Sequence, residues 1–196
     1  MLPLAPSSLS VYTIIFIVSF CCWLGFEIWV FSRERGQQRR DARSGAAWVI
    51  LALAIGITLG VNMPGMAPGF NIQGTIALYL VPGTVLIWAG ILLRFWSIQT
   101  LGKFFSTRLV IQEGHELITK GPYKYLRNPS YTAALITFIG LGLGVGNWLS
   151  IAVLFLTGLI TYVWRIRVEG RMLLDQFGVA YSDYMKRTWA LIPFIW

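Results

Sequence analysis

The sequence predicts an all-α polytopic membrane protein with about five transmembrane helices. Hydrophobic residues make up 56% of the 196 residues and charged residues only 12%, whereas soluble domains contain about 25% charged residues. Three long stretches carry no charged side chain: Leu2–Phe26, Ser44–Leu93 and Asn128–Trp164. Because a membrane-spanning helix needs about 20 apolar residues, this composition excludes a water-soluble globular domain and a disordered chain.

The uncharged stretches divide into five helices. The expected spans are Val11–Phe31, Ala46–Met63, Thr75–Ile98, Tyr131–Val145 and Trp148–Trp164. The third stretch must contain a break, since its 37 residues would form one helix of about 55 Å against a bilayer core of about 30 Å. We expect that break at Gly144–Asn147, because glycine and asparagine tolerate tight turns.

The basic residues predict the orientation. With five spans, all 16 Lys and Arg residues fall on one side: between the first two helices, at and after the end of the third, and after the fifth. The positive-inside rule then places the N-terminus outside and the C-terminus in the cytoplasm. The first helix lacks the preceding basic region of a cleavable signal peptide and is expected to remain as a span. The expected location is the plasma membrane of a prokaryote or the endoplasmic reticulum of a eukaryote.

Chemistry is expected in two polar segments on the cytoplasmic side, Gln99–Pro129 and Arg165–Trp196. Neither is long enough for a Rossmann domain, and no glycine-rich loop follows a strand. The alternating glycines from Gly140 to Gly146 lie inside the apolar hairpin and are typical of close helix packing or a helix break. The two cysteines are adjacent in the first helix and form no CxxC or Cys/His cluster, so no metal site is expected.

The first polar segment has the pattern of a compact loop. Arg108–Gln112 alternates like a short strand, and Leu117–Thr119 is a candidate to pair back with it. Gly121-Pro122 marks a further turn. Asn128-Pro129 predicts the start of the fourth helix, with proline at the first helical position. Such an aromatic-rich loop at a membrane face suits an adenine-sized ligand.

Single residues in this loop have structural alternatives. For His115, the one histidine of the chain, the structural alternative is a hydrogen-bonded turn residue. Tyr123, Tyr125 and Tyr131 are equally interfacial aromatics. Asn128 is equally a helix N-cap.

The second polar segment and the first helix contain ionisable residues that could pair. Arg165 and Glu169 are four residues apart and share one helix face. They are either an exposed ion pair of little energetic value, or an arginine that binds a carboxylate beside an acid that binds a cationic ligand. An amphipathic helical continuation is expected beyond them, interrupted at Gly178. Glu27, inside the first helix, is expected to pair with Arg94 or with water.

These motifs occur in a specific order. Gly-His-x-Leu-x-x-x-Gly-x-Tyr from Gly114 is followed by Tyr-x-Arg-Asn-Pro-x-Tyr from Tyr125 and an apolar hairpin. Arg-x-x-x-Glu from Arg165, Phe-Gly-x-x-Tyr-x-x-Tyr from Phe177 and a closing Ile-Pro then complete the series. Over about Leu101–Trp196, this order resembles the isoprenylcysteine carboxyl methyltransferase family, part of a wider group of membrane methyltransferases.

We expect one membrane domain over residues 1–196. The hydrophobic pattern predicts three transmembrane helices in 1–98, and the resemblance implies a methyltransferase-like catalytic half in 99–196. It implies that S-adenosylmethionine binds in a cytoplasmic pocket roofed by the loop and the C-terminal segment. Arg165 matches the arginine that meets the substrate carboxylate, and Glu169 matches an acid that binds the cofactor. The other positions that match cofactor-binding residues are His115, Glu116, Leu117, Ile118, Tyr123, Asn128, Pro129, Ser130 and Tyr131.

The acceptor implied by the resemblance is a lipophilic or lipidated molecule, with an isoprenylcysteine-like carboxylate first. Asn128 replaces the usual histidine, however, and Asn-Pro-x-Tyr is more similar to phospholipid N-methyltransferases. A phospholipid amine or another small lipophile is therefore an alternative acceptor. A second alternative is an NADPH-dependent reductase of the sterol type, and a third is a small membrane scaffold or transporter subunit. Membrane lipids are expected partners and nucleic acid is not.

Overall fold

The computed structural model describes residues 10–33, 46–105 and 117–195. Within these ranges the chain forms six α-helices. They are α1 (Val11–Arg33), α2 (Ala46–Met66), α3 (Ala77–Leu101), α4 (Pro129–Gly144), α5 (Trp148–Phe177) and α6 (Val179–Arg187). The predicted helical fold class is confirmed, and apart from the end of α5 the helices begin and end within a few residues of the predicted positions.

Four helices of the described chain are long and apolar enough to cross a membrane. They are Val11–Ser32, Trp48–Met66, Ala77–Leu101 and Trp148–Phe177. The remaining predicted span corresponds to α4, whose 16 residues extend over about 24 Å. This makes the chain an integral membrane protein with one apolar helix shorter than its neighbours.

Helix α5 is longer than the predicted span. It continues without a break from Trp148 to Phe177, over 30 residues, so the predicted end of the helix at Trp164 is wrong. No proline interrupts this stretch, and the Arg165–Glu169 pair spans one helical turn within it. The expected amphipathic continuation is therefore part of the same helix, and it ends where Gly178 adopts a φ of +51°.

The helices pack in a consistent order across the bundle. Helix α3 lies against α1 and α4, while α5 lies against α4 and α2. Trp23 of α1, Phe138 of α4 and Tyr162 of α5 belong to the buried core that joins them. Many large apolar side chains of α1 and α2 remain exposed, as expected for surfaces that face lipid.

Glycines allow α3 and α4 to approach at backbone distance. A Cβ atom placed on Gly83 would lie 2.8 Å from the Gly140 carbonyl oxygen and 2.9 Å from the Gly144 nitrogen. A Cβ atom on Gly90 would lie 2.0 Å from Thr137 Oγ1. The prediction that the apolar glycines serve close packing is thus confirmed, and this contact fixes the distance between the two helices.

The predicted break between α4 and α5 is confirmed. Gly146 has a φ of +72°, a conformation that favours glycine. Asn147 is fully buried, and its side-chain oxygen accepts a hydrogen bond from Ser150 N at 3.1 Å. Its amide nitrogen donates to Ala67 O at 3.1 Å and to Asn71 Oδ1 at 2.7 Å. The turn therefore caps α5 and ties it to the segment after α2.

The close contact between α3 and α4 can be tested by adding one methyl group. Gly83→Ala should destabilise the protein by about 1–3 kcal/mol, because the new Cβ meets backbone atoms that cannot move aside. The measurement is the thermal unfolding midpoint in detergent. The matched control is Gly25→Ala in α1, where nothing lies within 4 Å of an added Cβ. Equal midpoints for the two variants would contradict the packing argument.

Candidate functional site

A buried ion pair on α5 forms the centre of the candidate site. Arg165 Nε lies 2.8 Å from Glu169 Oε1, and the two side chains are 5% and 23% exposed. The spacing of four residues places both on one face of the helix, as predicted. The alternative of an exposed pair is wrong for Arg165, because α5 continues past Trp164 and turns this face toward the protein.

Tyr131 joins the pair from the first turn of α4. Its hydroxyl donates to Glu169 Oε1 at 2.5 Å and is also hydrogen-bonded to the Arg165 guanidinium. Pro129 begins α4 at its first helical position, as predicted, and thereby sets where Tyr131 stands on the helix. Tyr131, Arg165 and Glu169 form a continuous polar cluster between α4 and α5.

A second ion pair lies beside this cluster. Arg94 of α3 contacts Glu27 of α1 at 2.9 Å, which confirms the predicted pairing. The Arg94 guanidinium interacts electrostatically with the Tyr162 hydroxyl, and the Tyr162 ring stacks on Tyr131 with centroids 4.8 Å apart and planes at 16°. Tyr162 is not among the site residues predicted from the sequence. Its position three residues before Arg165 on α5 is the signal that would have found it.

The turn at Gly121–Lys124 covers one side of the cluster. Gly121 has a φ of +59° and packs against Thr100 and Trp96 of α3, which confirms the turn predicted there. Tyr123 in this turn is buried. Burial raises the pKa of the Tyr123 hydroxyl, and the nearby charge of Glu169 raises it further. The hydroxyl is therefore a neutral hydrogen-bond donor at physiological pH.

The C-terminal segment is tied to the residues that precede α4. The Arg127 guanidinium donates to the carbonyl oxygens of Met185, at 2.8 Å, and Thr188. The Asn128 amide donates to Ala190 O at 2.8 Å. Asn128 occupies the N-cap position of α4, as the structural alternative predicted, but its side chain makes no capping hydrogen bond. We call this set of contacts the C-terminal clasp.

Two hydroxyl groups complete the clasp. Thr132 Oγ1 donates to Leu191 O at 2.6 Å. Tyr184 of α6 donates to Tyr123 O at 2.6 Å, and both tyrosines are buried. Burial raises the pKa of Tyr184 above its ordinary value of 10.0, so this hydroxyl also remains a donor at neutral pH. The clasp therefore holds α6 and the chain after it against the Tyr123 turn.

The structure brings some of the predicted site residues together. Direct hydrogen bonds join Tyr131, Arg165 and Glu169. Tyr123 lies near enough for the charge of Glu169 to raise the pKa of its hydroxyl. Of the remaining described positions, Asn128 belongs to the clasp, Pro129 is buried at the start of α4, and Leu117, Ile118 and Ser130 are half-buried. His115, Glu116 and the predicted strand Arg108–Gln112 lie outside the described residues.

The sequence that contains these site residues matches a known protein family. The family model described as phospholipid methyltransferase matches residues 78–180. These residues run from α3 into α6 and include the side chains of α4 and α5 that form the polar cluster. The chain belongs to the phospholipid methyltransferase family. The matched region contains all three residues of the polar cluster. It also contains Arg94 and Tyr162 beside the cluster, but not Glu27.

Individual relatives confirm the resemblance that the motifs predicted. Protein-S-isoprenylcysteine O-methyltransferase B of Arabidopsis thaliana is 31% identical over 115 residues, which are 58% of this chain and 58% of the plant protein. The uncharacterized protein YpbQ of Bacillus subtilis is 26% identical over 84 residues, 43% of this chain and 50% of that protein. The chain thus spans about half the length of these relatives.

A solved structure shares the fold. The eukaryotic intramembrane Ras methyltransferase ICMT (isoprenylcysteine carboxyl methyltransferase) is 22% identical and superimposes with a TM-score of 0.63. The similarity covers 92% of this chain and 68% of the solved chain. The helical arrangement outside the family match is therefore shared as well.

The clasp predicts a localised effect of removing the Asn128 amide. Asn128→Ala leaves the buried Ala190 carbonyl without its donor, which should cost about 1–3 kcal/mol. Hydrogen exchange at the Trp189 amide, which is bonded to Tyr125 O, should accelerate. Lys186→Ala is the control, because its pair with Asp183 is exposed and worth little. Unchanged exchange at Trp189 would rule out a holding role for Asn128.

The buried Tyr184 hydroxyl predicts alkaline sensitivity. The folded state raises its pKa above 10.0, so its contribution to stability is complete below that pH and is lost as pH rises through the folded pKa. The temperature of the unfolding midpoint should begin to fall near about pH 10 and should keep falling as the pH rises further. In Tyr184→Phe, which cannot ionise, this fall should be smaller. The same pH dependence in both proteins would contradict the assignment.

Proposed function

We propose that this protein is an integral membrane methyltransferase that moves a methyl group from S-adenosylmethionine to a lipophilic acceptor. The observation that carries the proposal is the cluster that the buried Arg165 forms with the part-buried Tyr131 and Glu169. It places one cationic and one anionic side chain together at the polar end of an apolar helix bundle. Membership of the phospholipid methyltransferase family supports methyl transfer as the reaction class.

The residues of the cluster fit S-adenosylmethionine. When bound, this cofactor supplies a methyl group on a sulfonium cation, together with an ammonium, a carboxylate and an adenine. Glu169 is the partly exposed acid of the cluster and would pair with the ammonium. Tyr123 and Tyr131 provide aromatic surface and neutral hydroxyl groups beside it. The Tyr123 turn and the C-terminal clasp would enclose the cofactor, together with residues 115–118.

Arg165 would bind the acceptor. A carboxylate with a pKa near 4 is ionised at pH 7 and needs no general base. The guanidinium can hold such a group through two parallel hydrogen bonds. Methyl transfer is an in-line displacement, so fixing the carboxylate beside Glu169 supplies alignment, which is a large source of rate acceleration.

The Arg165–Glu169 pair would then exchange partners on binding. Without ligands each charge neutralises the other, which keeps both side chains compatible with a buried position. An anionic acceptor at Arg165 and a cationic cofactor at Glu169 would replace this contact while the total charge stays balanced. The site therefore favours a pair of ligands of opposite charge over either ligand alone.

An isoprenylcysteine-like carboxylate is the acceptor class that fits best. The relative in Arabidopsis thaliana is named for this reaction, and the arginine provides the matching charge. The lipid tail would enter sideways between helices, and the cofactor would enter from the cytoplasm. This arrangement takes α4 as a short fifth span, with the N-terminus outside.

A phospholipid amine is a second candidate acceptor, because the family that matches is the phospholipid methyltransferase family. An amine is protonated at pH 7 and must lose its proton before it can attack. Glu169, or His115 outside the described residues, would be the base. A rate that rises steeply with pH would favour the amine, and a flat profile above pH 6 would favour the carboxylate.

Cofactor binding provides the decisive test. Isothermal titration of the purified protein with S-adenosylmethionine and S-adenosylhomocysteine should show binding. Glu169→Gln should weaken it by at least about tenfold, which corresponds to about 1.4 kcal/mol. Asp175→Asn is the control, because it neutralises an exposed acid on the same helix. No binding by well-folded parent protein would overturn the proposal, and NADPH would then be titrated to test the reductase alternative.

A further inference from the structure

The Glu27–Arg94 pair is not explained by stability. Removing two charges from water costs several kcal/mol per ion, and apolar residues of similar size often stabilise a protein more. Arg94 is only 13% exposed. Its Nε atom is buried without a hydrogen-bond partner in the part of the chain that the structure describes. Charged groups inside membrane helices usually serve function, so the contacts of this pair indicate what it does.

Tyr162 connects this pair to the cluster that would bind the cofactor. Its hydroxyl interacts electrostatically with the Arg94 guanidinium. Its ring lies nearly parallel to Tyr131, at 4.8 Å and 16°, and to Phe138, at 6.3 Å and 10°. With 5% of its surface exposed, the side chain is held both by its polar end and by its ring.

Tyr131 passes this constraint to the acid. Its hydroxyl donates to Glu169 Oε1 at 2.5 Å, so a rotation or shift of the Tyr131 ring would move the donor that orients the carboxylate. The stacked Tyr162 ring limits that movement. A series of interactions therefore runs from Glu27 on α1 through Arg94, Tyr162 and Tyr131 to Glu169 on α5.

We propose that Tyr162 is a positioning residue for methyl transfer. Fixed by the Glu27–Arg94 pair, it holds Tyr131 in the position from which its hydroxyl orients Glu169. This inference rests on the proposed function, since Glu169 is the acid assigned to the cofactor. It gives the buried ion pair of α1 and α3 a role in the reaction without direct contact with either substrate.

The test removes single polar groups and retains the packing. Tyr162→Phe deletes the hydroxyl and keeps the ring stack, and Glu27→Gln removes the charge that fixes Arg94. Each should lower kcat with a prenylcysteine analogue by about 3–10-fold, with less than a twofold change in acceptor KM. Because both act through one series of contacts, the double variant should be no slower than the slower single variant. Tyr125→Phe, at an exposed tyrosine, is the matched control.

Two results would overturn the inference. One is multiplication of the two single effects in the double variant, which would show that the residues act independently. The other is a lower unfolding midpoint in Tyr162→Phe with kcat unchanged, which would show that the hydroxyl serves only stability.

A measurement that does not depend on turnover separates this inference from the proposed function. In protein labelled with 3-fluorotyrosine, the ¹⁹F resonance of Tyr131, assigned with Tyr131→Phe, should shift in Tyr162→Phe and in Glu27→Gln but not in Tyr125→Phe. If the parent neither binds S-adenosylmethionine nor turns over substrate, the proposed function fails, whatever the resonance does. If the parent is active and the resonance stays unchanged in both variants, the positioning role fails alone.

Discussion

A charge buried in an apolar helix bundle must keep a partner, and much of this structure follows from that constraint. Removing an ionised side chain from water costs several kcal/mol unless another charge or a set of hydrogen bonds compensates. Arg165 is held in this way by Glu169 and Tyr131. Because these three residues come from two helices, the requirement to pair one arginine also fixes how α4 and α5 meet.

The glycine contact between α3 and α4 makes possible the interactions that link Glu27, Arg94 and Tyr162. Gly83 and Gly140 bring the two backbones as close as a helix pair allows. Helix α4 packs against both α3 and α5. At that distance Arg94 of α3 interacts electrostatically with Tyr162 of α5. Small residues in one interface thus set the position of charged residues elsewhere, since packed helices transmit a displacement.

The loop before α4 and the C-terminal segment define each other. The described part of the loop, residues 117–128, has one short helical turn at Gly121–Lys124, and residues 188–195 after α6 form no helix or strand. Arg127 and Asn128 bind carbonyl groups of the C-terminal segment, while Tyr184 binds a carbonyl group of the loop. Each therefore satisfies backbone groups that would otherwise be buried without partners. The site is closed by two irregular segments whose order depends on contact between them.

The sequence by itself determined the features that depend on neighbouring residues. These are the apolar helices, the break at Gly144–Asn147, the start of α4 at Pro129 and the shared face of Arg165 and Glu169. Family membership also followed from the order of short motifs. Only the tertiary structure decided that Arg165 is buried, that Asn128 binds Ala190 and that Tyr162 stacks on Tyr131. These contacts join residues far apart in the chain. No local sequence pattern indicates which side chains are brought together when the helices pack.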